Sequence, residues 1–473
     1  MKRGGTPLAS DPCYCRGCIE KQQMIDRLKV ENERLRRKLN RQERTAKEAP
    51  FGTSTPSSMK LVKASSPEDN RAKKGGARPG HKGYGRTSVC EDDADRVEIL
   101  ETPEICPDCG CPLEDRAERE RTVHDCEPVK KVTRLIRIPS RYCPCCQKTF
   151  RRKPPDVLPN SCISNRLLAQ IAKWHYVDGL TLGTISRQFD IGVGTIVGRL
   201  HALAGHFKSV DEALVLEYRA APVKHADETG WRTDGANGYT WGFFTPTLSI
   251  FRCRNTRAAR VAEEIFGDPQ EHTGTLIVDR YAAYNIFMGL IQYCFEHLKR
   301  DTLKVGEDNP DKAECQAFAQ EFAPLLIKAM KLRSENNFKD LASYREAAEK
   351  LRARIEEIAA RPAKHPSVQH VQNIFREQRE RLYHWVRSPD IPAENNRAER
   401  GLRPLVIARK ISFGSQSQSG MKTREILMSV TNTLSLRVDD TVESIKQTLD
   451  TLVADPKLDV AAYLFGKNGI AKA

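Results

Sequence analysis

Val223-Lys-His-Ala-Asp227 and Thr275-Leu-Ile-Val-Asp279 are two short strand-like runs, and an aspartate ends each of them. Between them, Gly238–Thr245 and Leu248–Arg252 have the composition of a β-hairpin, and residues 257–265 have a helical pattern. Strands that end in carboxylates place them side by side at the carboxyl edge of a sheet. These stretches therefore predict a mixed α/β domain that presents Asp227 and Asp279 at one sheet edge.

A third acid, Glu399, lies in the Arg-rich stretch Asn395-Asn-Arg-Ala-Glu-Arg400, which has a helical pattern. Leu405–Ala408 either continues this helix or forms a strand. The charged residues 301–388 lack strand signals, and stretches such as Leu341–Ala360 have apolar residues at helical spacing. We therefore expect an α-helical insertion between the second and third acids.

The order of a hairpin followed by a βαβ unit fits an RNase H-like core formed by residues 218–300 and 389–420. Residues 421–473 form a further helical region at the C-terminal end. Folding of this core would bring the three acids together, although they lie far apart in sequence. Hard divalent cations take oxygen ligands, and two of them can clamp the attacking and leaving oxygens of a phosphodiester. The acids therefore predict an enzyme that cuts and joins DNA.

The 473-residue chain is strongly basic, with 77 Lys and Arg against 62 Asp and Glu, which gives a formal net charge of +15. Residues 71–88 and 129–155 are basic and hold no acid, so a polyanionic partner explains the charge better than solubility alone. The sequence shows no apolar run of membrane-spanning length and no signal-peptide core, so we expect a cytoplasmic protein without membrane contact. In that reducing compartment the fifteen cysteines are metal ligands or buried thiols rather than disulfides.

Residues 1–45 predict an N-terminal helix whose apolar positions alternate at spacings of three and four, the pattern of a short coiled coil. Dimerisation through this seam and a single amphipathic helix are equal alternatives. Residues 46–95 are a flexible, basic, Gly-rich linker that suits contact with phosphates or a minor groove, with a plain solvated linker as the alternative. Its candidate DNA contacts are Lys73, Lys74, Arg78, Lys82 and Arg86.

Residues 96–155 contain two C-x2-C knuckles, which predict a zinc-binding module. The ligand set with matched knuckles is Cys106, Cys109, Cys143 and Cys146. Cys111 and Cys145 leave the choice of ligands slightly open. A closed cage of four thiolates is structural, so removal of Zn2+ should unfold the module rather than stop the chemistry.

Residues 160–210 have the pattern of a helix-turn-helix, with residues 190–192 as the turn. The first helix would bury Leu182, Ile185 and Phe189. The second helix would present Thr195, Arg199 and His201 to a DNA groove. Helical hairpins of this kind also occur without DNA, but a neighbouring zinc module and carboxylate site favour DNA contact.

Several motifs, taken together and in order, resemble the insertion sequence 66 family of bacterial transposases between about Arg71 and Ser415. Each motif is a loose pattern alone, and their common order makes the resemblance specific. They are Gly75–Gly83, the two cysteine knuckles, Asp227–Trp231, Asp279–Asn285, Cys294–His297, Asn395–Arg400 and Arg409–Ser415.

The resemblance implies a DDE transposase in which Asp227, Asp279 and Glu399 hold two Mg2+ or Mn2+ ions and catalyse DNA cleavage and strand transfer. It implies as partners the terminal repeats of the element, target DNA, further copies of the chain in a homodimer or higher oligomer, and accessory proteins encoded by the same element. Glu394 departs from the family pattern and adds a competing acid. Asn395, with its neighbour at 396, would share the helix face of Glu399, which favours Glu399 as the third ligand.

Three further residues near the acids are candidates for a role in the site. Arg400 and Lys410 would contact phosphates. His297 either touches the site or is a hydrogen-bonded core histidine. The alternative functions are a non-catalytic DNA-binding regulator derived from a transposase, or an RNase H-like nuclease. An intact set of acids argues against the regulator, and the DNA-binding modules favour a recombinase over the nuclease.

Overall fold

The computed structural model describes residues 154–466 and 469–470 and, ahead of them, residues 24, 92, 129, 131–137, 140–143, 145 and 148–151. The chain divides after Glu127, and the elements named below belong to its C-terminal unit, residues 128–473. Apart from residues 24 and 92, the predicted coiled coil and the basic linker lie outside the described residues, and so does part of the zinc module. The site residues concerned are Lys73, Lys74, Arg78, Lys82, Arg86, Cys106, Cys109 and Cys146.

A five-stranded mixed sheet forms the centre of this unit. Its strands are β3 Val223–Thr233, β4 Ala236–Thr245, β5 Leu248–Arg254, β6 Thr275–Val278 and β7 Leu290–Tyr293. The spatial order is β5-β4-β3-β6-β7. The first three strands form an antiparallel meander, whereas β6 runs parallel to β3 and β7 runs parallel to β6. The predicted mixed α/β class is therefore confirmed.

A separate two-stranded antiparallel sheet pairs β1 Ser140–Cys143 with β2 Lys148–Arg151. The helices among the described residues follow the chain order of the predicted regions. They are α1 Asn165–Tyr176, α2 Leu182–Phe189, α3 Val193–His206, α4 Lys208–Ala220, α5 Arg260–Phe266, α6 Phe295–Asp308, α7 Ala313–Glu335, α8 Leu341–Ala360, α9 Pro366–Glu377, α10 Asn396–Ser412, α11 Gln418–Arg437, α12 Thr441–Ala454 and α13 Val460–Phe465.

The two faces of the large sheet are covered by different helices. On one face, Gly401 of α10 lies so close to the Phe244 ring that a Cβ atom would clash with it. On the other face, the ring of Phe243 packs edge-on against Tyr218 of α4 and Phe266 of α5. Because side chains alternate along a strand, the successive residues 243 and 244 pack against the helices on opposite faces of the sheet.

Helix α11 covers the β5 edge of the sheet, where alternate backbone N–H groups donate to its side chains. Four helical residues rise about 6 Å and two strand residues about 6.7 Å, so acceptors every fourth residue match donors every second residue. The pairs are Ser249 with Thr433 at 3.1 Å, Phe251 with Ser429 at 3.0 Å and Cys253 with Glu425 at 2.7 Å. An edge strand exposes unpaired backbone groups, so α11 completes the sheet.

The helical insertion leaves the sheet after β7 and returns beside it. The amide of Gln292 in β7 accepts hydrogen bonds from the backbone N–H groups of His384 and Trp385 at 2.8 and 3.2 Å. The backbone N–H of Phe295 donates to the carbonyl of Ala393 at 2.7 Å. The two ends of the insertion are therefore joined directly.

The structure corrects two predicted element bounds and decides one alternative. Strand β3 does not end at Asp227, because it continues to pair with β4 as far as Thr233. The apolar run Ile291–Phe295 predicts a further strand, but β7 ends at Tyr293 and Phe295 begins α6. Leu405–Ala408 continues α10 and forms no strand. The helix over Leu341–Ala360 has the predicted bounds.

Candidate active site

Asp227 and Asp279 lie level with each other on neighbouring strands. In the parallel register of β3 and β6, the residues two positions before the two aspartates pair with each other. Asp279 directly follows β6. Each carboxylate accepts a backbone hydrogen bond of 2.9 Å, Asp227 from Glu228 and Asp279 from Tyr281. The two acids are therefore at the carboxyl end of the parallel part of the sheet, as predicted, although Asp227 is inside its strand.

The Asp227 carboxyl is half-buried and has other acids around it. Burial, and after it the negative charges of Glu228, Asp279 and Glu399, raise the pKa of Asp227 from 3.8 to about 7. The backbone hydrogen bond from Glu228 opposes this rise. The negative charges of Asp279 and Glu399 therefore both disfavour ionisation of the Asp227 carboxyl. A bound cation would relieve that repulsion.

Glu399 is in the first turn of α10, and Asn395 attaches this turn to the strand that carries Asp227. The buried Asn395 side chain donates to the carbonyl of Ala226 at 2.8 Å, and its oxygen lies 2.9 Å from Nδ1 of His225. Its backbone N–H donates to Sγ of Cys294, at the end of β7, at 3.1 Å. Asn395 thus joins the start of α10, which carries Glu399, to the strand that carries Asp227 and to the residue that follows β7.

Asn395 and its neighbour Asn396 were predicted to share a helix face with Glu399. Asn396 begins α10, and Asn395 is its N-cap residue, whose carbonyl accepts the Glu399 N–H at 3.2 Å. The Asn395 side chain is bound to β3 instead. The role of Asn395 was not foreseen from the sequence. A side chain with both a donor and an acceptor, directly before a predicted helix, is a signal for a cap or a tether. The sequence does not indicate which strand such a residue would contact.

A second unforeseen residue is Arg300 on α6, which contacts Glu399. Its Nη2 lies 3.2 Å from Oε1 of Glu399, and its Nε lies 3.5 Å from Oε1 of Glu296. No three acidic, histidine or cysteine side chains of the described residues are grouped closely enough to hold a metal ion. The donor set still fits hard divalent cations in its chemistry, since it consists of carboxylates that repel one another.

Glu394, the competing acid, lies near this pair. Burial raises the pKa of Glu394, and the charges of Glu296 and Glu399 act in the same direction, while Arg400 opposes them. One of its oxygens accepts the backbone N–H of Asn396 at 3.1 Å. Glu394 is therefore held at the N-terminal end of α10.

Glu228 follows Asp227 and therefore points to the opposite face of the sheet. It pairs with Arg257 and accepts a hydrogen bond of 2.6 Å from the hydroxyl of Tyr284. The guanidinium of Arg257 also stacks over the ring of Tyr281 at 4.0 Å. This network holds β3 against the segment that follows Asp279, and so supports both aspartates from behind.

The predicted DNA contacts occupy different surroundings. Thr195 on α3 is exposed, and Arg199 donates to the carbonyl of Asn160 at 2.8 Å. Nδ1 of His201 lies 2.5 Å from the hydroxyl of Thr423 on α11, so the prediction that it faces a groove is wrong. Ile185, Phe189, Ile196 and Leu200 of α2 and α3 are buried, whereas Leu182 is only partly so.

Three predicted site residues remain to be placed. Arg400 and Lys410 are both exposed on α10. His297 lies in the first turn of α6, and its buried Nδ1 has no hydrogen-bond partner among the described residues. The alternative of a hydrogen-bonded core histidine is therefore not supported at this nitrogen.

The second cysteine knuckle begins at Cys143, the last residue of β1, and Cys145 between the two strands is exposed.

A family model described as "Transposase IS66 family" matches residues 160–423. The match contains the three acids, Asn395 and Arg300, and it ends within α11. No curated protein sequence matches the chain. None of the described helices is long and apolar enough to cross a membrane.

Proposed function

The chain belongs to the IS66 family of transposases, and from that premise we propose a DDE transposase that cleaves the ends of its element and joins them to target DNA. The observation that carries this proposal is that Asp227 and Asp279 lie level on the neighbouring strands β3 and β6, while the negative charges of Asp279 and Glu399 both act on the Asp227 carboxyl. The sheet order supports an RNase H-like core, in which an antiparallel meander is extended by parallel strands.

We propose that Asp227, Asp279 and Glu399 hold two Mg2+ or Mn2+ ions, which would supply Lewis-acid activation of water and of the DNA 3′-hydroxyl. The protein's contribution is to orient these carboxylates. The backbone N–H groups of Glu228 and Tyr281 fix the two aspartates, and Asn395 fixes the start of the helix that carries Glu399. Such fixed positions reduce the reorganisation that the reaction requires.

The outer surface of α10 suits the backbone of a DNA strand that enters the site. Arg400, Arg403 and Lys410 are exposed and follow one another at helical spacings along one side of the helix. Arg403 adds to the two residues predicted from the sequence. Neutralised phosphates release counterions, so replacement of Arg403 by Gln should reduce the salt slope of DNA affinity by about one. Replacement of the exposed Arg376 on α9 is the matched control.

Further parts of the chain are proposed to bind DNA or to hold the assembly together. Thr195 and Arg199 would contact DNA through the helical hairpin. Zn2+ bound by the four cysteines would hold its module together, and the hairpin of β1 and β2 at Cys143 supports this. The basic linker would follow phosphates, and the N-terminal helix would join two copies of the chain.

The test is a cleavage assay on DNA that carries the natural flanks of the gene. Wild type, Asp279→Ala and the control Asp308→Ala, which removes an exposed acid at the end of α6, are compared with and without Mg2+. We expect metal-dependent nicks at discrete flank positions from wild type and Asp308→Ala. Equal cleavage by Asp279→Ala would refute the assignment. Specific DNA binding without cleavage by any of the three would favour the regulator.

A further inference from the structure

Arg300 has a position that the catalytic proposal does not use. It is on α6, seven residues after the end of β7, and its side chain reaches across to the helix that carries Glu399. Glu296 lies one helical turn before it, with its carboxylate 3.5 Å from Nε of Arg300. An acid four residues ahead of a base is the favourable orientation for such a pair in a helix. The Arg300 guanidinium therefore lies between Glu296 on its own helix and Glu399 on α10.

The contact with Arg300 bears on where the Glu399 carboxylate points. Arg300 Nη2 lies 3.2 Å from Glu399 Oε1, whereas the carboxylates of Asp227, Asp279 and Glu399 are not grouped at metal-binding distance in the described residues. A carboxylate oxygen that accepts a guanidinium N–H has lost part of its capacity for a metal ion. Arg300 and a metal ion would therefore compete for the Oε1 atom of Glu399.

We propose that Arg300 is a built-in counter-cation for Glu399, which competes with the divalent ion and is displaced when the three acids assemble. This inference rests on the proposed function, because it assumes that Glu399 is a metal ligand. Arg300 is thus a positioning residue that acts through Glu399. It keeps the third acid paired while the site holds no metal, and it frees a guanidinium for a phosphate once the metal is bound.

The pair is partly exposed to solvent, with 52% of the Arg300 side chain and 32% of the Glu399 side chain accessible. Exposed ion pairs are weak, so the competition should be modest. Removal of Arg300 should tighten metal binding about two- to fivefold. A stronger effect would require a buried pair.

The experiment measures Mn2+ binding to the full, metal-free protein by calorimetry. Arg300→Gln is compared with Lys299→Gln, which also removes one positive charge that pairs with Glu296, but which removes no contact with Glu399. The same comparison is repeated with variants that also carry Glu399→Gln. We expect Arg300→Gln to bind Mn2+ about two- to fivefold more tightly than Lys299→Gln, and we expect this difference to vanish in the Glu399→Gln background.

Two results would overturn the inference while leaving the proposed function in place. One is equal Mn2+ affinity of Arg300→Gln and Lys299→Gln. The other is a tightening that persists in the Glu399→Gln background, because the effect would then not pass through Glu399. If wild type and all variants bind no Mn2+, the metal site itself fails, and the inference fails with it. Circular dichroism of each variant checks that the fold is retained.

Discussion

Replacement of Asp227 by Asn should stabilise the metal-free protein at alkaline pH while it abolishes cleavage. Burial and the neighbouring acids raise the pKa of Asp227 from 3.8 to about 7 in the folded protein. Between these two values the folded protein keeps a proton that the unfolded chain gives up. The stability contributed by this proton is fully present below pH 4 and is lost as the pH rises to about 7. Asn carries no charge and avoids this loss.

The magnitude follows from the pKa difference. A rise of about three units corresponds to roughly 4 kcal/mol at 1.36 kcal/mol per unit, which is the expected gain in the free energy of unfolding at pH 8. At pH 5 only about one unit separates the pH from the unfolded value, so the gain should shrink to about 2 kcal/mol. The difference between the gain in the free energy of unfolding at pH 8 and the gain at pH 5 is the quantity that tests the reasoning.

The assay is urea unfolding in the presence of a chelator, followed by tryptophan fluorescence. Trp231 and Trp241 are buried in the sheet that carries Asp227, so their emission reports on the relevant unit. Asp308→Asn is the control, because its carboxylate is exposed at the end of α6. If Asp227→Asn and wild type unfold at the same urea concentration at pH 8, the reasoning from burial and neighbouring acids is refuted.

The remaining predictions concern the tether, the sheet edge and the zinc module. Asn395→Ala should lower the free energy of unfolding by about 2–5 kcal/mol, because two buried partners lose their hydrogen bonds. Asn396→Ala is the control and should have little effect, so similar urea midpoints for the two variants would exclude the tether. Ser429→Ala should lower the free energy of unfolding by about 1–3 kcal/mol, because it leaves a backbone N–H group of β5 unpaired. Ser435 is exposed, and a loss of stability in Ser429→Ala no larger than that in Ser435→Ala would contradict this prediction. Cys106→Ser should lower zinc content measured by metal analysis, and unchanged zinc content would remove Cys106 from the ligand set.

The strands and several helices of this chain could be predicted because their signals are local. Thr275–Val278 is an apolar run with an acid directly after it, and the position of that acid at the carboxyl end of the parallel strands follows from the rule for such sheets. Strand β3 was predicted too short, since its part beyond Asp227 is polar and is stabilised by pairing with β4. A proline usually ends a helix, but α10 continues through Pro404, so the end of this helix could not be predicted from its local sequence.

The contacts that position the acids could not be predicted, because they join residues far apart in sequence. Asn395 contacts Ala226 across 169 residues, and Arg300 contacts Glu399 across 99 residues. Neither pair produces a periodic pattern or a motif in the sequence. Such contacts depend on the relative placement of whole elements, which residue patterns constrain only weakly.

The hydrogen bond between Phe295 and Ala393 has a consequence for how this protein can change over evolutionary time. The bond closes the base of the insertion, so the distance in space between the sheet and Glu399 does not depend on how much chain lies in between. Segments can be gained or lost beyond that base without moving the third acid. The sequence interval between the second and third acids is therefore free to drift in length among relatives, while the geometry at the base is expected to stay constant.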